Sequence, residues 1–502
     1  MKKIVSLLLA CLMILSLVGC GNNKESGSGA ILYTGMINSD IDNYDPFTSQ
    51  TMQFMNTINF NCYECLMHLN GNMEYEMDLA TSYEQPDDTT YIFHLREGVK
   101  FHNGEDFTAD DVVYTINTII DPSTGAWRAG QYENVDSVEA VDAHTVKIVL
   151  KDPQPAFLDN IAYTAIVSKS TKPADLVAHP VGTGAFKFVS WTPNDNVTLE
   201  KNSDYWDADK VNFDKWVIKM IADQTVALEN LKSGAVQYLN QISTEVAKTI
   251  EDTDGLQVYK SAYANTVYEF EIGRHNKEAL ANPDVIKAMF LAFNKDSVVN
   301  DIYNGMVSAA KSPFPSSAKF YGEYDTEGYD INKAKEVLAS TPFKNGFSFD
   351  ILTSSSAGGE FETLVMWQAD LKKIGIEMNV KTVDFSIWLD EYLGRTYDMI
   401  CNSYSMVGTD PATYCGVLLS ALKDYQTGDL PELNELIKNG AAITDETERA
   451  SIYGEIQEIL VKYRPVTSYI ESPSLNGASQ SLKGIVVNGM GHCFLKNAYV
   501  EK

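Results

Sequence analysis

T-Y-I-F-H-L-R-E-G-V-K-F-H-N-G-E-D-F-T-A-D-D-V-V-Y-T-I-N, residues 90–117, is the stretch that sets the fold, because each of its segments carries a local structural instruction. Tyr91, Phe93 and Leu95 alternate with Ile92, His94 and Arg96, the period of a strand with one buried face. Glu97-Gly98 and Asn103-Gly104 have turn chemistry. Thr108 stands where a helix N-cap belongs, with Asp110 and Asp111 in the first turn and Val112, Val113 and Ile116 behind them. The spacing predicts strand, turn, short strand, cap and helix.

Upstream, Lys2 and Lys3 precede an apolar run over residues 4–18, the pattern of a secretory signal and too short to span a membrane comfortably. The run ends in Leu17-Val18-Gly19-Cys20, which resembles a bacterial lipobox. That resemblance implies a signal peptide over residues 1–19, cleavage before Cys20 and lipidation of Cys20. The following G-N-N-K-E-S-G-S-G predicts a flexible tether over residues 20–30, with a root-mean-square span of about 15 to 18 Å. This places the mature protein at the extracellular face of a bacterial cell membrane, or in the periplasm if the cell has an outer membrane.

The 502 residues include 39 Lys or Arg and 68 Asp or Glu, a formal charge of −29. Such acidity disfavours nucleic acid as a partner, and the sequence has no basic patch interleaved with aromatics. It also lacks H-E-x-x-H, G-x-S-x-G and Walker motifs and any Cys/His set with zinc spacing, so no catalytic residue, metal or cofactor is expected. Beyond the leader, Cys62, Cys65, Cys401, Cys415 and Cys493 are an odd number, which excludes a complete disulfide framework. The Cys62-Tyr63-Glu64-Cys65 pair lies within 52–69, where helical spacing predicts a helix with both thiols on a packed face. His94 and His102 flank the turn and read as satisfied strand or surface histidines.

Further blocks accompany the first. They are H-P-V-G-T-G-A-F-K-F-V-S-W at 179–191, Glu200-Lys201-Asn202 with Tyr205-Trp206, L-K-S-G-A-V-Q at 231–237, and a Y-D-x-x-K-A-K type helix from Tyr329. Gly182 and Gly184 read as backbone-turn devices, since strand rather than a helix N-terminus follows them. Residues 347–353, a loop at 354–359, a helix through Lys373 and residues 375–383 predict a strand-helix-strand unit with parallel strands. As a set, these blocks resemble the family 5 extracellular solute-binding proteins, the peptide- and nickel-binding receptors of ATP-binding-cassette importers. The resemblance implies an α/β, two-lobed periplasmic-binding-protein-like clamp with an additional lateral subdomain. Mapped onto this numbering, lobe I is 31–61, 181–269 and 477–502, the lateral subdomain is 62–180, and lobe II is 270–476. It further implies a non-enzymatic monomer that captures a peptide or other small solute and hands it to permease subunits.

Candidate ligand-binding residues are Trp127 and Arg128 in a glycine-flanked loop, Ser354, Trp388, Tyr404 and Asp410. The aromatics would supply walls and the polar groups would fix orientation. In the dipeptide-binding branch an arginine holds the ligand carboxylate and an aspartate holds its amine. Those two positions fall here on Ser354 and Val407, so both anchors are absent and oligopeptides are favoured over dipeptides. Asp410 is the alternative holder of an amine, and a metal chelate or small sugar-like solute is the alternative ligand.

Overall fold

The computed structural model describes residues 30–37, 40–324, 328–354, 358–416 and 430–501. Cys20, the leader and most of the tether lie outside these residues. Among the described residues no helix is long and apolar enough to cross a membrane.

The opening stretch folds as its spacing predicts. Thr90–Leu95 is a strand with Tyr91, Phe93 and Leu95 buried. Gly98 and Gly104 take positive φ angles of 74° and 87°. A capping box formed by Thr108 and Asp111 opens the helix Ala109–Ile120. The strand joins the four-stranded antiparallel sheet of residues 80–150, whose members follow the order Ala80–Asp87, Thr90–Leu95, Thr145–Leu150, Val135–Asp142. Residues 62–180 therefore carry a sheet of their own, yet their buried side chains form one continuous core with those of the first lobe.

One large sheet runs through both lobes, in the order Glu377–Val383, Ser348–Ser354, Met399–Ser405, Leu256–Ile272, Val466–Ser479, Tyr238–Leu239, Ile31–Ile37, Lys215–Ile221, Asn196–Lys201, Phe186–Thr192. The predicted strand-helix-strand unit is present, with Ser348–Ser354 parallel to Glu377–Val383 and the helix Glu360–Lys373 between them. Two long strands, Leu256–Ile272 and Val466–Ser479, cross from one lobe to the other. Their ladder breaks in the middle, where Lys260 pairs with Leu475, Ala264 with Pro473 and Thr266 with Ser472, and it shifts once more between Tyr268 and Glu269. Pro473 lacks the N–H that a regular ladder needs, which fits the irregular stretch falling there. The second lobe has its own core around Phe270, Trp367 and Tyr469, and a satellite around Tyr414, Tyr453 and Phe314.

Two local expectations are corrected. Residues 52–69 are not one helix: a short wide-turn helix covers Phe54–Ile58, turns follow, and Met67–Leu69 pairs as a strand with Tyr75–Met77. Tertiary partners outcompete the helical ladder here. The Asn61 carbonyl accepts from Phe186 N at 3.0 Å and the Cys62 carbonyl from Gly184 N at 3.0 Å, while the Asn61 amide donates to Cys493 O at 2.7 Å. Gly182 and Gly184 are needed for close approach rather than for turning. A Cβ on Gly182 would sit 2.1 Å from Cys62 O, and one on Gly184 would sit 2.5 Å from Asn61 O.

The sequence blocks converge on this same knot. Glu64 accepts from Thr183 Oγ1 at 2.8 Å, Tyr205 OH at 3.0 Å and Trp206 Nε1 at 3.0 Å. Arg96 stacks on Trp206 at 3.7 Å, and His102 Nε2 bonds Gly184 O at 3.0 Å. His94 meets exposed Glu84 at 3.1 Å. Among the described residues, the five cysteines are all buried and unpaired.

Candidate ligand site between the lobes

Where the long strands cross, a cavity of about 290 Å³ opens between the lobes. Met52, Gln241, Ile242 and Thr244 line it from the first lobe, Ser405 from the second, and Thr266 and Tyr268 from one crossing strand with Ser472, Pro473, Ser474 and Leu475 from the other, while Gly489, Met490 and Gly491 close one side. Its polar lining is made of hydroxyls, one carboxamide and backbone, and no charged side chain is among them. Thr266 Oγ1 and Ser405 Oγ lie 2.7 Å apart across paired strands, and Ser474 Oγ accepts from Asn476 Nδ2 at 3.2 Å. Met52 is 43% exposed, so a flexible thioether side chain is available to a solute.

None of the six residues singled out from sequence lines this cavity. Trp127 and Arg128 lie together elsewhere, on a small cavity shared with Phe47, Met55 and Tyr163. Arg128 is buried and is not tied to lobe II: its Nε donates to Gln131 Oε1 at 2.6 Å and its guanidinium packs over the rings of Tyr163 and Trp127. Ser354 ends its strand opposite Val383. Trp388 is a packing residue, stacked between Phe385 and Tyr392 with Nε1 donating to Cys401 O at 3.0 Å. Tyr404 meets the ring of Tyr414 edge-on at 5.0 Å. Asp410 caps the turn that follows it, accepting from Ala412 N at 3.0 Å, and pairs with Arg449 at 2.7 Å, both side chains buried. Its carboxylate is thus committed to Arg449 and the cap. The sequence signal for this cavity's lining is the Ser472-Pro473-Ser474 interruption of a strand, since proline inside a ladder marks a break.

Two further features border the interlobe region. Asp159, on the Phe157–Ile161 helix, reaches the second lobe: Oδ2 accepts from Thr409 N at 3.0 Å and Asp410 N at 2.8 Å, while Oδ1 accepts from Tyr75 OH at 2.7 Å. Burial pushes its pKa up to about 6, more than these hydrogen bonds pull it down. A wider cavity of about 510 Å³ lies beside this contact, bordered by Tyr75, Asp87, Asp88, Asp445, Arg449 and the sequence-predicted Asp410. Deeper in the second lobe, Glu269 accepts from Tyr414 OH at 3.0 Å and has its other oxygen without a partner. Burial, and then neighbouring Glu271, hold its pKa well above the usual carboxylate range. Among the described residues, no group of His, Cys, Asp and Glu could hold a metal ion.

Comparison with known proteins agrees with this architecture. The chain is 27% identical to the glutathione-binding protein GsiB of Pectobacterium atrosepticum over 91% of each chain, and 26% identical to the oligopeptide-binding protein OppA of Bacillus subtilis over the whole of both. Among solved structures it resembles DppA, an ABC transporter-associated periplasmic binding protein from Helicobacter pylori in complex with the peptide STSA, at 26% identity and a TM-score of 0.73, covering 94% of this chain and 98% of that one. The fold is also that of the ABC transporter substrate-binding protein CtaP from Listeria monocytogenes, with a TM-score of 0.85 at 23% identity over 95% and 100% of the two chains. The model for bacterial extracellular solute-binding proteins, family 5 (middle), matches residues 74–426, and it is to this family that the chain belongs.

Proposed function

We propose that this protein is a lipid-anchored receptor that captures oligopeptides between its lobes and delivers them intact to an ATP-binding-cassette importer. The observation that carries the reading is the uncharged, hydroxyl-rich cavity at the strand crossing. A peptide backbone presents neutral donors and acceptors that such a lining can pair, and contacts to both lobes favour the closed arrangement. A zwitterionic dipeptide brings two charges that the cavity does not match, and burying them unpaired is costly. Longer peptides keep their termini near water. The oligopeptide-binding relative and the STSA complex support this reading, and glutathione, with two carboxylates and an amine, suits the cavity poorly. The hydroxyl lining equally favours a neutral sugar-like solute as a second reading.

Calorimetry with a peptide length series, free and N-acetylated, tests the proposal. Peptides of about four residues or more are expected to bind, with acetylation tolerated, and to be recovered unchanged. Tight binding of free dipeptides that vanishes on acetylation would show an amine anchor and overturn it. A neutral sugar that competes where peptides fail would favour the second reading.

A further inference from the structure

Arg128 is 4% exposed, and among the described residues no carboxylate lies within ion-pairing distance of it. Its Nε donates to Gln131 and its Nη2 to Asn160 O at 3.4 Å, while Nη1 is buried with no hydrogen-bond partner. The indole Nε1 of the adjacent Trp127 is likewise buried without an acceptor. Both residues line one cavity of about 20 Å³, together with Phe47, Ser49, Asn59 and Thr164. That space suffices for one water or one small ion.

The polar neighbours cannot supply the missing charge. Ser49 is engaged with Asp42 at 2.6 Å, and Thr164 donates to Asn160 O at 2.8 Å. The thiol of Cys65 and the phenols of Tyr132 and Tyr163 are pushed upward, first of all by burial, and stay neutral. The rings of Tyr163 and Trp127, with centroids 4.8 and 5.5 Å from the guanidinium carbon, soften the burial of a cation without neutralising it. A buried guanidinium normally finds an anion, and two orphaned N–H donors bordering one small cavity are suited to receive it.

We propose that Arg128 and Trp127 bind a free monatomic anion of the chloride class in this cavity. The site does not depend on the cleft's taking peptides, so the two readings fail separately.

Bromide is the probe. Crystals of the mature chain grown in sodium bromide are expected to show an anomalous peak within hydrogen-bonding distance of Arg128 Nη1 and Trp127 Nε1. In solution, replacing gluconate by bromide at constant ionic strength is expected to raise the melting temperature saturably, by about 2 to 4 °C. Trp127→Phe, which keeps the ring and deletes only the N–H, should weaken the bromide response about tenfold, one conventional hydrogen bond to a charged group. Arg128→Gln should abolish it. A water alone in the cavity with equal melting temperatures in both salts, or a bromide peak in crystals without any solution response, would overturn the proposal and leave the aromatic rings as the guanidinium's whole environment.

Discussion

Replacing Asp159 by Asn is expected to tighten, not loosen, the contact between the lateral region and the second lobe at neutral pH. In the structure one carboxylate oxygen accepts two backbone N–H groups of the second lobe and the other accepts Tyr75 OH. Hydrogen bonds to a charged acceptor favour the ion, but burial dominates and raises the pKa from its ordinary 3.8 to about 6. A group whose docked pKa is raised contributes to docking fully below the undocked pKa and loses that contribution as pH rises through the docked one. The window here is pH 3.8 to about 6, and a rise of about two units corresponds to about 3 kcal/mol at most. Asparagine imitates the protonated acid: its carbonyl can serve the two N–H groups, and its amide can donate to Tyr75, whose hydroxyl then turns to accept. At pH 7 the amides of Thr409 and Asp410 should therefore exchange with deuterium up to about 100-fold more slowly in Asp159→Asn than in the unaltered protein. At pH 4 the two should differ little. Comparison at equal pH cancels the intrinsic chemistry of exchange. Faster exchange in the variant at pH 7 would refute the reasoning, because it would mean that the charge-assisted bonds outweigh the cost of burying the ion.

Other expectations concern anchoring, the buried ion pair and the glycine contact. Cys20→Ala should release the protein to the medium or leave an uncleaved precursor, and a lipid-labelled membrane fraction that persists unchanged would count against the anchor. Asp410→Ala strands Arg449, whose side chain is 1% exposed, and should cost about 3 to 5 kcal/mol in denaturant titration while sparing solute binding; a variant of normal stability that loses solute would return Asp410 to the binding site. Gly182→Ala drives a methyl to 2.1 Å from Cys62 O and should cost about 3 kcal/mol or more, whereas Gly130→Ala, with open space at its Cβ, should stay within about 0.5 kcal/mol. Equal stability of the two glycine variants would show that the 61–62 and 182–184 backbones do not approach as described.

How far the chain could be read from its letters followed the range of the forces involved. The strand at Thr90–Leu95, the cap at Thr108, the cap Asn282 before Pro283–Leu291 and the αL glycine after Gln224–Lys232 are local arrangements, settled by residues a few positions apart. The segment 52–69 misled because its backbone is claimed by partners more than a hundred residues away, and nothing in its own periodicity reveals them. The same distance effect explains why the family blocks pointed to the fold, while none of the six residues singled out from sequence lines the cavity at the strand crossing. Glu64, Arg96, His102, Thr183, Tyr205 and Trp206 interlock where the lateral region meets the first lobe, so what these blocks encode in this chain is a structural knot.

A ligand site between two lobes obeys the opposite logic. Its lining must be left unsatisfied by local structure, and it is assembled from segments as far apart as Met52 and Met490. Large aromatics and charges look like ligand residues in a sequence, but in this chain they are largely spent on internal needs: Trp388 fills a stack, Asp410 neutralises Arg449, and Tyr404 packs on Tyr414. What remains facing the cavity are mainly three serines, two threonines and two methionines with one glutamine and one tyrosine, none of which stands out in the sequence. The one positional clue is mechanical. Where two strands must carry the chain from lobe to lobe and still permit relative movement, a continuous ladder would be too stiff, and the irregular pairing from Lys260 to Thr266 opposite Pro473 supplies the compliance. On the proposed function, solute contacts with those same crossing residues, Thr266, Ser472 and Ser474, would let occupancy bear directly on the elements that bend.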